Sequence, residues 1–209
     1  MEKILASIFF LTVITMLAAA RFGLVWAGGA GPTVLLPATV EISNGSNTII
    51  RVETKRTAQN SEAIKRGEKF STGNNSRALI RIGQEIIVAL DQNTDVILEN
   101  LSAEKVEIKI IRGRLLANTS WETDKLIIST PISQSSIKDS AITAVRYDFL
   151  DQATILPINT VAQISIKNDS LQTKNAINIQ EVAPFTISPT EFNLNAPEVA
   201  DFYQWARRY

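Results

Sequence analysis

The sequence predicts an all-β domain, a solenoid-like or meandering β-sheet, with an N-terminal signal or anchor helix and a short C-terminal helix. Three observations carry this expectation. From Ala38 to residue 190, short runs of Val, Ile, Leu and Thr are separated by Asn, Asp, Gly and Ser, the pattern of strands and turns. The same stretch holds no sustained apolar spacing of three and four. The two ends differ from it: Ile4–Ala20 are seventeen residues without a charge, and Pro197–Tyr209 read as a helix.

The chain divides into residues 1–27 as signal peptide or membrane anchor, 28–37 as linker, 38–190 as the β domain, and 191–209 as a tail with a short helix. Residues 1–27 fit two readings. Val25-Trp26-Ala27 offers small-residue positions for cleavage before Gly28. About 20 apolar residues also span a bilayer, so residues 4–26 serve equally as a retained anchor, although Arg21 interrupts them. Either reading exports the rest of the chain to the periplasm or cell envelope. Residues 28–37, with Gly28, Gly29, Gly31, Pro32 and Pro37, have linker composition.

Within the β domain one repeat is regular. Ile80, Val88 and Val96 recur at a spacing of eight, as do Ile82, Leu90 and Leu98. Residues two apart share a sheet face, so three strands at this period stack their apolar residues in columns. Gly83-Gln84 and Asp91-Gln92-Asn93 supply turns between them. The period suits a β-solenoid coil and a tight antiparallel meander alike. Further strands are expected over 106–110, 115–117, 126–128, 142–149, 154–158, 161–166 and 176–179, with a turn at Arg112-Gly113-Arg114. Pro157 fits only an edge or a strand end. In the tail, Pro197 suits a first helical turn, Glu198 favours its start and Arg207-Arg208 its end.

The order of these elements resembles the FecR-type domain. Gly67-Glu68-Lys69-Phe70-Ser71-Thr72-Gly73, followed by Ser76-Arg77-Ala78, is similar to that domain's opening. Leu90 with Thr94–Leu98 resembles the strand after its polar turn, Arg112-Gly113-Arg114-Leu115 its central glycine turn, and Ile128-Ser129-Thr130-Pro131 its Thr-Pro strand end. Lys138-Asp139-Ser140 departs from the family's Arg-Gly-Thr turn. The resemblance covers roughly residues 38–182, and its motif residues here are Gly67, Thr72, Gly73, Arg77, Gly113, Thr130 and Pro131. It implies a periplasmic, β-rich, solenoid-like domain. The best-known members relay a signal from an outer-membrane transporter to a cytoplasmic sigma factor, through a cytoplasmic segment before the membrane helix. Here three residues precede the apolar run, so the resemblance is to the stand-alone exported branch of the family.

Composition removes much chemistry. Among 209 residues there is no Cys and no His. Thiol nucleophiles, thiolate metal sites, disulfides and histidine-based acid–base or triad catalysis are therefore excluded. With 21 basic and 21 acidic residues the net charge is zero, which argues against nucleic acid as a partner. Ser102-Ala103-Glu104-Lys105 and Ser135-Ser136-Ile137-Lys138 match the Ser-x-x-Lys acylation motif, but both stand in strand or turn sequence, where the amine does not reach the hydroxyl. Asp91–Asp95 resembles the start of a calcium loop. Val96 and Ser102 stand where that loop needs Gly and Glu, so a self-bonded turn is expected.

The sequence thus predicts no enzyme, no cofactor and no metal. The expected role is a protein-interaction or signal-relay module whose partner is an envelope or membrane protein. The alternative is a carbohydrate or peptidoglycan binding module, with Trp121 as the isolated aromatic of the β region. Candidate interaction residues are Trp121, Phe202, Trp205 and Tyr209. Phe202, Trp205 and Tyr209 are spaced three and four apart on one helix face. That face serves either as a partner anchor or, as the composition favours, as a cap over the open end of a solenoid.

Overall fold

The computed structural model describes residues 34–51, 54–120, 126–137, 141–148, 152–158, 160–166, 169–180 and 186–209. These belong to one unit, Val34–Tyr209. The expected signal or anchor helix, Trp121 and Lys138-Asp139-Ser140 lie outside the described residues. Among the described residues no helix is long and apolar enough to cross a membrane.

Among the described residues seventeen strands follow in chain order: β1 (Ala38–Asn44), β2 (Asn47–Arg51), β3 (Thr54–Thr57), β4 (Glu62–Ala63), β5 (Lys69–Thr72), β6 (Arg77–Ile82), β7 (Ile86–Leu90), β8 (Asp95–Leu101) and β9 (Val106–Thr119). Then come β10 (Leu126–Ser129), β11 (Gln134–Ile137), β12 (Ala141–Asp148), β13 (Gln152–Ile158), β14 (Ala162–Ile166), β15 (Asp169–Thr173), β16 (Ile177–Gln180) and β17 (Thr186–Pro189), and the helix α1 (Ala200–Ala206).

The strands form two layers. The first runs β4-β1-β6-β7-β9-β12-β13-β16-β17. The second runs β3-β2-β5-β8-β9-β10-β11-β14-β15. Hairpins are laid down alternately in one layer and the other, and the sheet does not close. Alternation explains the layering: Ile80, Val88, Leu115, Val145 and Ile155 of the first layer share one core with Phe70, Leu98, Ile108, Ile128 and Ile164 of the second.

Among the described residues every strand pairing but one is antiparallel; β9–β10 is parallel. Successive coils of a β-solenoid pair in parallel, so the meander describes this chain and the solenoid does not. Antiparallel pairing also changes the period-eight columns. Ile80 does face Val88, but Ile82 faces Ile86 and Leu90 faces Ala78, because a hairpin reverses the second strand. Val96 and Leu98 lie on β8, in the other layer.

The expected turn at Arg112-Gly113-Arg114 is a second correction. β9 runs unbroken through it, pairing through Arg112 with β8 and from Gly113 onward with β12. One strand thus serves both layers, and Gly113, at φ +96, makes the bend. Pro157 does sit at a strand end: β13 pairs with β12 there, while its pairing to β16 has stopped at Ile155. Residues 34–37, given to the linker by composition, are tied to the sheets. Leu36 N–H donates to the Leu101 carbonyl at 2.7 Å and Gly83 N–H to the Pro37 carbonyl at 2.8 Å.

The tail does not cap an end. Helix α1 starts three residues after Pro197 and lies against the outer face of the first layer. Phe202, Tyr203 and Ala206 cover Leu79, Ala89 and Leu116, which point outward from β6, β7 and β9. Apolar residues on the outer face of central strands need cover, and the tail supplies it.

Candidate functional site

Four of the seven family-type motif residues, Thr72, Gly73, Arg77 and Gly113, converge on one turn. Asp91–Thr94 joins β7 in the first layer to β8 in the second, beside the bend of β9. The Thr72 hydroxyl donates to the Asp91 carbonyl at 2.5 Å and accepts the Thr94 N–H at 2.8 Å. The Thr94 hydroxyl donates to the Arg114 carbonyl and accepts the Arg114 N–H, both at 3.1 Å. The Asn93 N–H donates to the Gly73 carbonyl at 3.2 Å. Two threonines therefore replace ladder bonds that the turn and the bend would otherwise lose.

Both glycines are required by close approach. A Cβ on Gly113 would lie 2.5 Å from Thr94 Oγ1 and 2.6 Å from Thr94 Cα. A Cβ on Gly73 would lie 2.6 Å from the Ser46 carbonyl oxygen.

Asp91 is the electrostatic hub. Its carboxylate is buried, with Arg77 Nε 3.3 Å from Oδ1 and Arg114 Nη1 2.7 Å from Oδ2. Four residues on, buried Asp95 meets Lys69 Nζ at 2.8 Å and Arg112 Nε at 2.9 Å. Burial alone would push the Asp95 carboxyl up; hydrogen bonds from Lys69 and Ser71 and the charges of Lys69 and Arg112 outweigh it and hold it below the usual carboxylate range. The carboxylates that resembled a calcium loop are thus ion-paired with basic side chains, and the segment is a turn.

Arg77 joins this corner to the tail. Its guanidinium lies 5.9 Å from the Phe202 ring centre and 5.8 Å from that of Trp205, and donates to the Asp201 carbonyl at 3.4 Å. Of the expected interaction residues, Phe202 is buried, Trp205 is half-buried, and Tyr209 is 46% exposed, its ring 5.8 Å from Trp205. Tyr203, on the same short helix, is the deeper anchor; burial raises the pKa of its phenol.

The remaining motif residues stand apart from the corner. Gly67 is at φ +80 before β5, its N–H donating to the Leu98 carbonyl at 2.7 Å. Thr130 and Pro131 form the β10–β11 turn, where Thr130 Oγ1 accepts the Ser133 N–H at 2.9 Å. The Ser102–Lys105 match is not a catalytic pair in this geometry. Ser102 Oγ accepts the Lys105 backbone N–H at 3.0 Å while Lys105 Nζ reaches Glu107 at 2.6 Å. Ser135 is buried in β11, and Lys138 lies outside the described residues. Glu62 and Glu68 share Arg56 at 2.7 and 3.4 Å. The hydrogen bond from Arg56, and the Gln59 N–H, hold Glu62 below its ordinary range.

Beside the hub an open pocket of about 380 Å³ is lined by Asn93, Arg112, Arg114, Arg146 and Tyr147 among others. Sequence reasoning did not single out Asp91 as a hub, nor Arg114, Arg146 or Tyr203 as site residues. Their signal is pairing across layers, which no linear spacing displays.

No family model and no curated protein matches the sequence. Solved structures supply the likeness. A 1.65 Å crystal structure of "a putative anti-sigma factor" from Parabacteroides distasonis aligns at TM-score 0.50 and 8% identity, over 59% of this chain and 60% of that one. A 2.50 Å structure under the same description aligns at TM-score 0.50 and 9% identity, over 68% of this chain and 74% of that one. This chain therefore spans about 60% of the first neighbour's length. At such identity the likeness is one of fold.

Proposed function

We propose that this chain is a non-enzymatic, FecR-like domain exported to the cell envelope, where it serves as a protein-interaction or signal-relay module. The observation that carries the reading is the fold likeness, over 59–68% of the chain, to the structures described as "a putative anti-sigma factor". It is supported by the convergence of Thr72, Gly73, Arg77 and Gly113 on one turn. A corner held by buried ion pairs and close glycine contacts is preorganised, so a partner that docks there loses little conformational entropy from this side. In this reading residues 1–27 export the domain or hold it at the inner membrane, and the partner is another envelope or membrane protein.

In-cell crosslinking of the tagged full-length chain, followed by mass spectrometry, tests the reading. Enrichment of one membrane or envelope protein supports it. Enrichment of cell-wall fragments without a protein overturns it in favour of glycan binding.

A further inference from the structure

We propose that the end of the domain at which the chain enters the sheets is a membrane-docking surface. Val34 and Leu35 insert into the interface of a bilayer that carries anionic phospholipid, and Lys65 and Arg66 bind its headgroup phosphates. The proposal rests on the reading of residues 1–27 as a retained anchor and adds a contact made by the folded domain itself.

Two neighbouring aliphatic side chains carry it. Val34 is 66% exposed and Leu35 61% exposed. Their backbone is tied down. The Ala103 N–H donates to the Val34 carbonyl at 2.8 Å, Leu35 bridges to Ser102, and the Leu36 N–H donates to the Leu101 carbonyl. Leu36 packs against the core, while Val34 and Leu35 stay outside it. Holding aliphatic groups in water gains nothing; it becomes favourable where an apolar phase covers them. Beside them lies an open, largely apolar pocket of about 470 Å³, lined by Leu35, Leu36, Ile64 and Leu101, with Lys65 and Arg66 also in its lining.

The two cations give the surface the chemistry of a lipid headgroup site. Lys65 and Arg66 are exposed and form no ion pair with a described carboxylate. Arg66 Nε donates to the Glu99 carbonyl at 3.0 Å, which holds the guanidinium in place. Long basic side chains lay their stems on apolar surface and keep their charged heads at phosphate level. Among the described residues no acid lines the pocket. Of the acids around it, Glu62 and Glu68 pair with Arg56, Glu99 with Lys109 and Glu107 with Lys105. Glu85 and Glu104 stand on the adjoining β6–β7 and β8–β9 turns and oppose an anionic surface. The aliphatic pair therefore supplies most of the attraction, and the cations select the lipid.

The chain itself identifies the cover as lipid. In the anchored reading residues 4–26 lie in the bilayer, and the seven residues 27–33 that lead to Val34 reach at most about 25 Å when fully extended. That tether keeps this end of the domain at the headgroups. The Asp91–Thr94 turn enters β8 at the end opposite Leu101, about 20 Å away, so a domain seated on Val34 and Leu35 leaves that corner open to a protein partner.

The chain has no cysteine, so Leu35→Cys and, at the far end, Gln92→Cys each carry a single nitroxide label. The labelled full-length chain is reconstituted into vesicles of phosphatidylcholine with or without phosphatidylglycerol. With phosphatidylglycerol, the label at position 35 is expected to be relaxed strongly by oxygen, which concentrates in lipid, and weakly by a water-soluble nickel chelate. The label at position 92 should show the reverse. Lys65→Gln with Arg66→Gln should lower the ratio of docked to undocked domain about tenfold, at an unchanged melting temperature. A water-like label at position 35 in vesicle-bound chain overturns the docking and leaves the anchor standing. A label there shielded from both reagents means that protein covers the surface, either the chain's own segment or a second copy, and overturns it too. So does a signature unchanged by phosphatidylglycerol. Failure of the anchor reading looks different: the chain floats with vesicles but is released by Val34→Ser with Leu35→Ser, since an anchored chain floats whatever stands there. A chain that floats with neither vesicle overturns both.

Discussion

Replacing Gly113 by alanine tests the geometry of the corner most sharply. At φ +96 an L-residue is strained, at about 1–2 kcal/mol. The new Cβ would also lie within 3 Å of three atoms, of which Thr94 Cα and the Asn93 carbonyl oxygen belong to the backbone. Neither can swing away as a side-chain tip can. Shifting the turn adds an overpacking cost of about 1–3 kcal/mol. The natural control is Gly67→Ala. Gly67 is also left-handed, at φ +80, but a Cβ there meets nothing within 4 Å. It should lose only the conformational part. Urea unfolding monitored by circular dichroism reads both, the midpoint falling at constant slope. A 3 kcal/mol loss at Gly113 corresponds to about 6–12 °C in melting temperature for a domain of this size. Equal losses at the two glycines would refute the close approach of the β9 bend to the Asp91–Thr94 turn.

Three further outcomes follow from the tail and the buried charges. Phe202→Ala removes a buried ring that packs on the first layer and beneath Arg77, and should cost about 3–5 kcal/mol by chemical denaturation; a loss below 1 kcal/mol would mean the tail is not docked as described. Tyr203→Phe deletes a buried hydroxyl that has no hydrogen-bond partner among the described residues, so the melting temperature should hold or rise. Asp95, held below the carboxylate range despite burial, contributes stability that is fully present above its unfolded pKa and is lost as pH falls through the lower folded value. Stability should therefore decline below about pH 4, and Asp95→Asn, less stable at neutral pH, should show a shallower acid limb. An identical acid slope in the variant would contradict the Lys69 and Arg112 pairing.

Most strands were legible because their apolar residues alternate, and alternation is what a half-buried strand requires. The period-eight spacing marked real hairpin geometry at Ile80 and Val88. It could not show that Ile82 turns back onto Ile86, since a column and its mirror share the same spacing. Arg112-Gly113-Arg114 looked like a turn because a glycine between two charges usually is one. Only the neighbouring layer, with Thr94 against Gly113, makes it a strand crossing. The tail was legible as a short aromatic helix but not in its position, because the outward-facing Leu79, Ala89 and Leu116 that it covers lie on three different strands. The Asp91 hub escaped for the same reason: its partners Arg77 and Arg114 are 14 and 23 residues away and meet only across the fold.

The central claim, that this domain binds a protein at the corner built by its motif residues, is tested most directly by site-specific photo-crosslinking in cells. A photoreactive residue is placed at Gln92, exposed on the Asp91–Thr94 turn, and in a second strain at Lys55, on β3 of the other layer. The account predicts one discrete protein adduct from Gln92 and none from Lys55. Adducts of equal yield from both positions, or none from either, would contradict it.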